Sequence, residues 1–195
     1  MQAFSTLSAA RGIDHLIQLD HQSFWDLHDR FRNSGADPYA QQAIAIEIIR
    51  EVSVHSVAED IVLYTVIEEQ EGKEVADDMR QDHLKVRDQL AQLDAMSVSD
   101  TGHAVLVERI MQELRAHAYE EEHRDLPMLR AKLGDDKMIE LGAKFAGAKN
   151  LVPTRPHPGA PIEPTATLVA GVVVAPVDKV RDLGREFAER KVPEE

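Results

Sequence analysis

The sequence predicts an all-α protein: an up-down-up-down four-helix bundle, followed by a short extra helix and a Pro-rich, partly helical C-terminal tail. Three observations carry this. Four long segments place apolar residues at helical spacing, turn-forming or capping residues interrupt them, and the pattern of the first two segments returns 62 residues later in the next two. A chain of 195 residues is long enough for such a bundle to bury a sizeable core.

The first helix is expected over about 13–32, with Ile13, Ile17, Phe24, Leu27 and Phe31 on one side and His21 and His28 on the same stripe. Asn33-Ser34-Gly35 stops it, and Asp37-Pro38 restarts the chain with a capping carboxylate and a proline suited to the first helical position. The second helix is expected to reach about Glu69. At about 100° per residue from His55, Ile44, Ile48, Val62 and Val66 fall within about 20°, and Glu51 and Glu59 within about 40°. His55 therefore sits at the centre of an inward face. Tyr64, nine residues further on, falls on the opposite side of a regular helix and is assigned no role.

After Glu71-Gly72 a third helix is expected to about Ala95, with His83 on the stripe of Ala76, Met79, Val86 and Leu90. Ser97–Asp100 is a loop ending in a capping residue, and the fourth helix runs from there to about Ala131. It carries Leu106, Ile110, Glu113, His117 and Glu121 on one face, and Pro127 should kink or loosen its last turn. The bundle is thus expected over 1–133, and the extra helix, linker and tail over 134–195. Residues 135–149 read as the extra helix, and 151–164 hold five prolines and must be extended. Residues 168–175 are Val-rich and ambiguous between helix and strand, and a last amphipathic helix is expected from Pro176 to about Arg190. The tail is expected to wrap the bundle or to pair protomers into a homo-oligomer.

Composition narrows the function classes. A net charge of −13 argues against nucleic acid or an anionic membrane as partner. No cysteine is present, so disulfides and thiolate chemistry are excluded. The N-terminal residues make a poor signal peptide, and the longest apolar run is too short to span a bilayer as a helix, so a soluble, cytoplasmic protein is expected.

Nine histidines are left to explain. His55-x3-Glu59 and His117-x3-Glu121 each place an imidazole and a carboxylate one turn apart on one helix face. The repeat maps Asp20-His21 onto Asp82-His83, Glu51 onto Glu113, His55 onto His117 and Glu59 onto Glu121. One hairpin is thus written twice, and its pseudo-twofold would bring these polar positions to one level inside the bundle. A lone inward histidine is usually a core residue, but four at repeat-related positions beside inward carboxylates are not. Burying carboxylates without a cation costs several kcal/mol each, roughly. A pair of metal ions removes that cost, and nitrogen and oxygen ligands suit iron, manganese or zinc. The alternative is a buried His–Glu hydrogen-bond network without metal. Glu51 and Glu113, one turn before a histidine, are candidates for a further ligand or for hydrogen bonding to the imidazoles. His28 is read as a core or hydrogen-bonding residue, and His15, His103, His123 and His157 as surface or loop residues.

Asp20-His21, His55-x3-Glu59, Asp82-His83 and His117-x3-Glu121-Glu122 resemble the hemerythrin HHE cation-binding domain over about residues 12–131. The resemblance implies a non-haem centre of two iron ions, oxo- or hydroxo-bridged, in a hemerythrin-like four-helix bundle. His21, His55, Glu59, His83, His117 and Glu121 would be its metal ligands, with the two glutamates bridging. The pattern departs from that of oxygen-carrying hemerythrins. Those carry a His-x3-His pair on the third helix, whereas Met79 and Arg87 flank His83 here, and they have Asp five residues after the last ligand histidine where this chain has Glu121 at four. The missing imidazole favours a reactive or sensing centre for oxygen, nitric oxide or peroxide over an oxygen store. The competing expectations are a di-iron oxidase or peroxide-degrading enzyme, and an iron-buffering or metal-stabilised interaction module.

Overall fold

A computed structural model describes residues 11–160 and 174–189, and the expected all-α bundle is what it shows, with no strand among the described residues. The first antiparallel pair is α1 (Ile13–Asn33) and α2 (Pro38–Ile61). Asp37 caps α2, its carboxylate accepting from the N–H groups of Tyr39 at 3.0 Å and Ala40 at 3.1 Å, with Pro38 in the first helical position.

The second bundle helix is not continuous. It breaks at Val62, where φ is −106° and ψ −57°, and resumes as α3 (Leu63–Glu71). Gly72, at a φ of 98°, turns the chain into α4 (Lys73–Asp94). The fourth bundle helix is α5 (His103–Glu120), which passes through a π-helical turn at Glu121–Asp125 into α6 (Leu126–Leu133). Pro127 explains that turn. It has no N–H to give to the preceding turn and its ring crowds the carbonyl there, so the helix widens by one residue just before it. The expected loosening therefore falls ahead of the proline, at the level of Glu121.

The extra helix is α7 (Asp135–Lys149), which lies across α1 and α2. Residues 174–182 are helical, and the chain turns at Leu183, whose N–H reaches Val180 O at 3.3 Å. The expected last helix is therefore shorter, since Gly184 interrupts it. Beyond that glycine the chain runs back along the bundle: Arg185 pairs with Asp94 at 2.5 Å, and the Ala188 N–H reaches Ala43 O at 3.3 Å. The N-terminal stretch 1–10, the last prolines of the linker and the Val-rich stretch 168–173 lie outside the described residues.

The core divides into two apolar clusters. One gathers Phe24, Leu27, Ile48, Val52, Leu90 and Ile110, among others, from α1, α2, α4 and α5. The other gathers Ile13, Ile17, Leu63, Met79, Leu129 and Phe145 from α1, α3, α4, α6 and α7. On every bundle helix the polar positions fall between the two: His21 on α1, His55 and Glu59 on α2, His83 on α4, His117 and Glu121 at the end of α5. The polar residues thus form one layer with hydrocarbon on either side.

Gly142 lets α7 close on the start of α1, because a methyl group there would overlap the Arg11 carbonyl oxygen, whereas Gly147 on the same helix faces open space. Gly142→Ala is expected to lower stability by about 1–3 kcal/mol through overpacking. Gly147→Ala is expected to raise it by about 0.5–1 kcal/mol through helix propensity. Denaturant unfolding of the two variants beside the parent checks both signs.

Candidate metal centre

The six expected residues meet in the polar layer. His21, His55 and Glu59 can hold one ion with ligand atoms mutually within 4.8 Å, and Glu59, His83 and His117 can hold another. Glu59 belongs to both groups. Its Oε2 stands 3.1 Å from His55 Nε2 and 3.4 Å from His83 Nε2. Glu121 approaches from the π turn, with Oε2 3.6 Å from His21 Nε2. Its position at the start of that wider turn aims it at the layer.

The imidazoles are oriented by carboxylates behind them. His55 Nδ1–H donates to Asp20 Oδ2 at 3.1 Å, His83 Nδ1–H to Asp60 Oδ1 at 3.0 Å, and His21 Nδ1–H to Glu122 Oε1 at 2.6 Å. Each Nε2 is thereby left facing the centre, the arrangement metal-binding histidines use. Asp60 and Glu122 are themselves repeat mates, as are His83 and His21, so the pseudo-twofold extends to these supports. It fails at Asp82, the mate of Asp20, which is turned out to Lys85 at 2.7 Å. From α7, Lys149 Nζ reaches Asp20 at 2.6 and 2.5 Å, so a charge from outside the four helices backs His55 through Asp20.

Several positions differ from the sequence reading. Glu51 pairs with Arg50 at 3.0 Å and Glu113 accepts from Gln89 at 2.9 Å, while Asp20, Asp60 and Glu122, which spacing did not single out for this role, are hydrogen-bonded to the imidazoles. Tyr64, on the far side of a regular helix, reaches the layer because the break at Val62 shifts the phase of everything beyond it. Its Oη stands 2.9 Å from His83 Nε2 and 3.1 Å from His117 Nε2. His103 is buried beside Phe31 rather than on the surface.

The donor set fits a cation. Glu59 and Glu121 are both fully buried, and with the imidazoles neutral and protonated at Nδ1 none of their four carboxylate oxygens is given a hydrogen-bond donor. Such oxygens cost several kcal/mol, roughly, unless positive charge reaches them. The titration behaviour agrees. Burial opposes charge on His55, yet Glu59 and Asp20 raise its pKa from 6.5 to about 9. Burial likewise opposes charge on His83, but Asp60 and Glu59 raise it to about 9. Burial, then the neighbouring His83, lowers His117 to about 3. Burial pushes Glu59 upward, but attraction to His55 and His83 outweighs it and holds the carboxyl well below its usual range. Burial and the Glu59 charge push Glu121 well above that range. Without metal, protons supply the positive charge the layer calls for.

Comparison with known proteins agrees with this geometry. The family description "Hemerythrin HHE cation binding domain" matches residues 12–129. An uncharacterized hemerythrin-like protein of Schizosaccharomyces pombe is 34% identical over 140 residues, covering 70% of this chain and 69% of that protein. No solved structure matches the chain.

The metal-free protein should be sensitive to pH. His55 and His83, raised from 6.5 to about 9, contribute stability that is present below 6.5 and lost as pH rises through about 9. Burial pushes Asp20 upward, but His55 and Lys149 outweigh it and lower the carboxyl from 3.8 to about 2. Its contribution is therefore present above 3.8 and lost as pH falls toward about 2. The chelator-treated protein should melt at lower temperature at pH 9 than at pH 6.5. Metal must displace the same protons, so metal affinity should rise over that window. Thermal melts and metal-binding isotherms across the range check the opposite signs.

Proposed function

The chain belongs to the hemerythrin HHE cation-binding family, and on that premise we propose that it is a non-haem di-iron protein that binds, senses or reacts with a small oxidant: oxygen, nitric oxide or peroxide. The observation that supports this most is the pair of histidine groups sharing Glu59, with four buried carboxylate oxygens that neutral imidazoles leave without a hydrogen-bond donor. His21 and His55 would hold one ion and His83 and His117 the other, with Glu59 and Glu121 between them. Bound ferrous ions would supply the electrons that reduce an oxidant.

The chain's own residues do the rest. Asp20, Asp60 and Glu122 fix which ring nitrogen faces inward, and the two apolar clusters keep bulk water from the layer. Access comes from the side. A cleft of about 790 Å3 between α4 and α5 is lined by His83 and His117, by the acidic Asp78, Asp82, Glu113, Glu120 and Asp125, and by Lys85 and Arg124, which pair with Asp82, Glu120 and Asp125. The acids outnumber the bases, and that excess favours entry of a cation over an anion. The cleft also gives a small neutral molecule a way to the His83–His117 side, which supports a reactive or sensing centre over a sealed structural staple. No helix of the described residues is long and apolar enough to cross a membrane, and the cytoplasm is the compartment we propose.

Protein loaded anaerobically with ferrous iron should hold two irons per chain, one for each histidine group, and gain near-ultraviolet and visible charge-transfer absorption on exposure to oxygen. His55→Ala should lose about half the iron and Glu59→Ala more than half, since Glu59 serves both groups. Iron analysis with absorption spectra before and after oxygen reads all three. Two irons bound with an unchanged spectrum would overturn the redox part of the proposal, and equal iron in all variants would overturn the site.

A further inference from the structure

We propose that Tyr64 is a ligand of the ion held by His83, His117 and Glu59, binding it through the phenolate oxygen. The proposal rests on the di-iron reading and adds one residue to it. Tyr64 Oη lies 2.9 Å from His83 Nε2 and 3.1 Å from His117 Nε2. His83 gives its Nδ1–H to Asp60, so Nε2 is the nitrogen it can offer an ion. In an octahedral shell, neighbouring ligand atoms each about 2.1 Å from the ion and about 90° apart stand about 3.0 Å from each other. The phenol oxygen therefore already sits at ligand spacing from both imidazole nitrogens.

The surroundings point the same way. Tyr64 is fully buried, and its ring lies 4.9 Å from that of His83. Its repeat mate is Leu126, a buried residue of the apolar cluster, so the duplicated pattern by itself would put hydrocarbon here. The break at Val62 delivers an oxygen instead. Tyr64 would thus add a ligand to the His83–His117 side that the His21–His55 side has no counterpart for, with Glu59 and Glu121 shared between them.

On binding, the phenol O–H bond breaks and an oxygen lone pair forms the bond to the metal. No electron changes hands, and the proton leaves to solvent through the cleft between α4 and α5. A bound ion is the largest local charge in such a site and stabilises an anionic ligand that burial alone would disfavour. Trivalent iron, a hard acceptor, is the ion this oxygen suits.

The test is resonance Raman spectroscopy of the full chain loaded with ferrous iron and then oxidised, beside Tyr64→Phe and with iron content measured in each. A coordinated phenolate should give a visible phenolate-to-iron absorption band whose excitation enhances tyrosine ring modes. The phenylalanine variant should bind iron yet lose both band and modes. Two irons bound by the parent chain without these modes would overturn the role of Tyr64 and leave the metal centre standing, a result that needs no variant to fold. Band and modes that persist in Tyr64→Phe would also overturn it. A chain that takes up no iron would overturn the di-iron reading and this proposal together.

Discussion

Two glutamates that neutral imidazoles leave without a hydrogen-bond donor, fully buried between two apolar clusters, set the terms for the rest of this structure. Each such oxygen carries a desolvation cost that ordinary packing cannot offset. The chain answers by surrounding Glu59 and Glu121 with imidazoles and by backing three of those imidazoles with further carboxylates. Every bundle helix interrupts its apolar stripe at the same level, which is what places the six side chains within reach of one another. The layer is stable only with positive charge inside it, whether as protons on His55 and His83 or as metal.

The hairpin repeat builds most of this arrangement, and the places where it fails are where the two sides differ. Asp60 and Glu122 keep the symmetry, holding His83 and His21 in the same way. Asp82 leaves it for the surface. On the second helix the symmetry is lost at the Val62 break, which brings Tyr64 to His83 and His117, and on the fourth at the π turn that Pro127 forces. Helix irregularity thus sits next to both central glutamates. Lys149 adds a further asymmetry, since it supports only the His55 side.

The bundle and the six clustered residues were legible in the sequence because both rest on local periodicity repeated in two hairpins. His55 and Glu59 stand one turn apart whatever surrounds them, and the 62-residue repeat supplied a check on each inward position. What escaped depends on a change of helical phase or on contacts distant in sequence. Tyr64 is on the wrong face only if the helix is regular through Val62, and a single irregular residue removes that premise. Lys149 meets Asp20 across 129 residues, through a helix that no periodicity argument could orient. Glu51 and Glu113 have the right spacing but nearer polar partners in Arg50 and Gln89, which spacing alone does not reveal. Pro127, shortly beyond Glu121, was the available hint of the π turn.

The central claim is that Glu59 lies between two metal ions held by different pairs of histidines. Anomalous X-ray diffraction at the iron edge, from crystals grown anaerobically with ferrous iron, addresses it most directly. The account predicts two anomalous peaks flanking Glu59, one beside His21 and His55 and the other beside His83 and His117. A single peak, or iron only at the acidic rim of the cleft between α4 and α5, would contradict it.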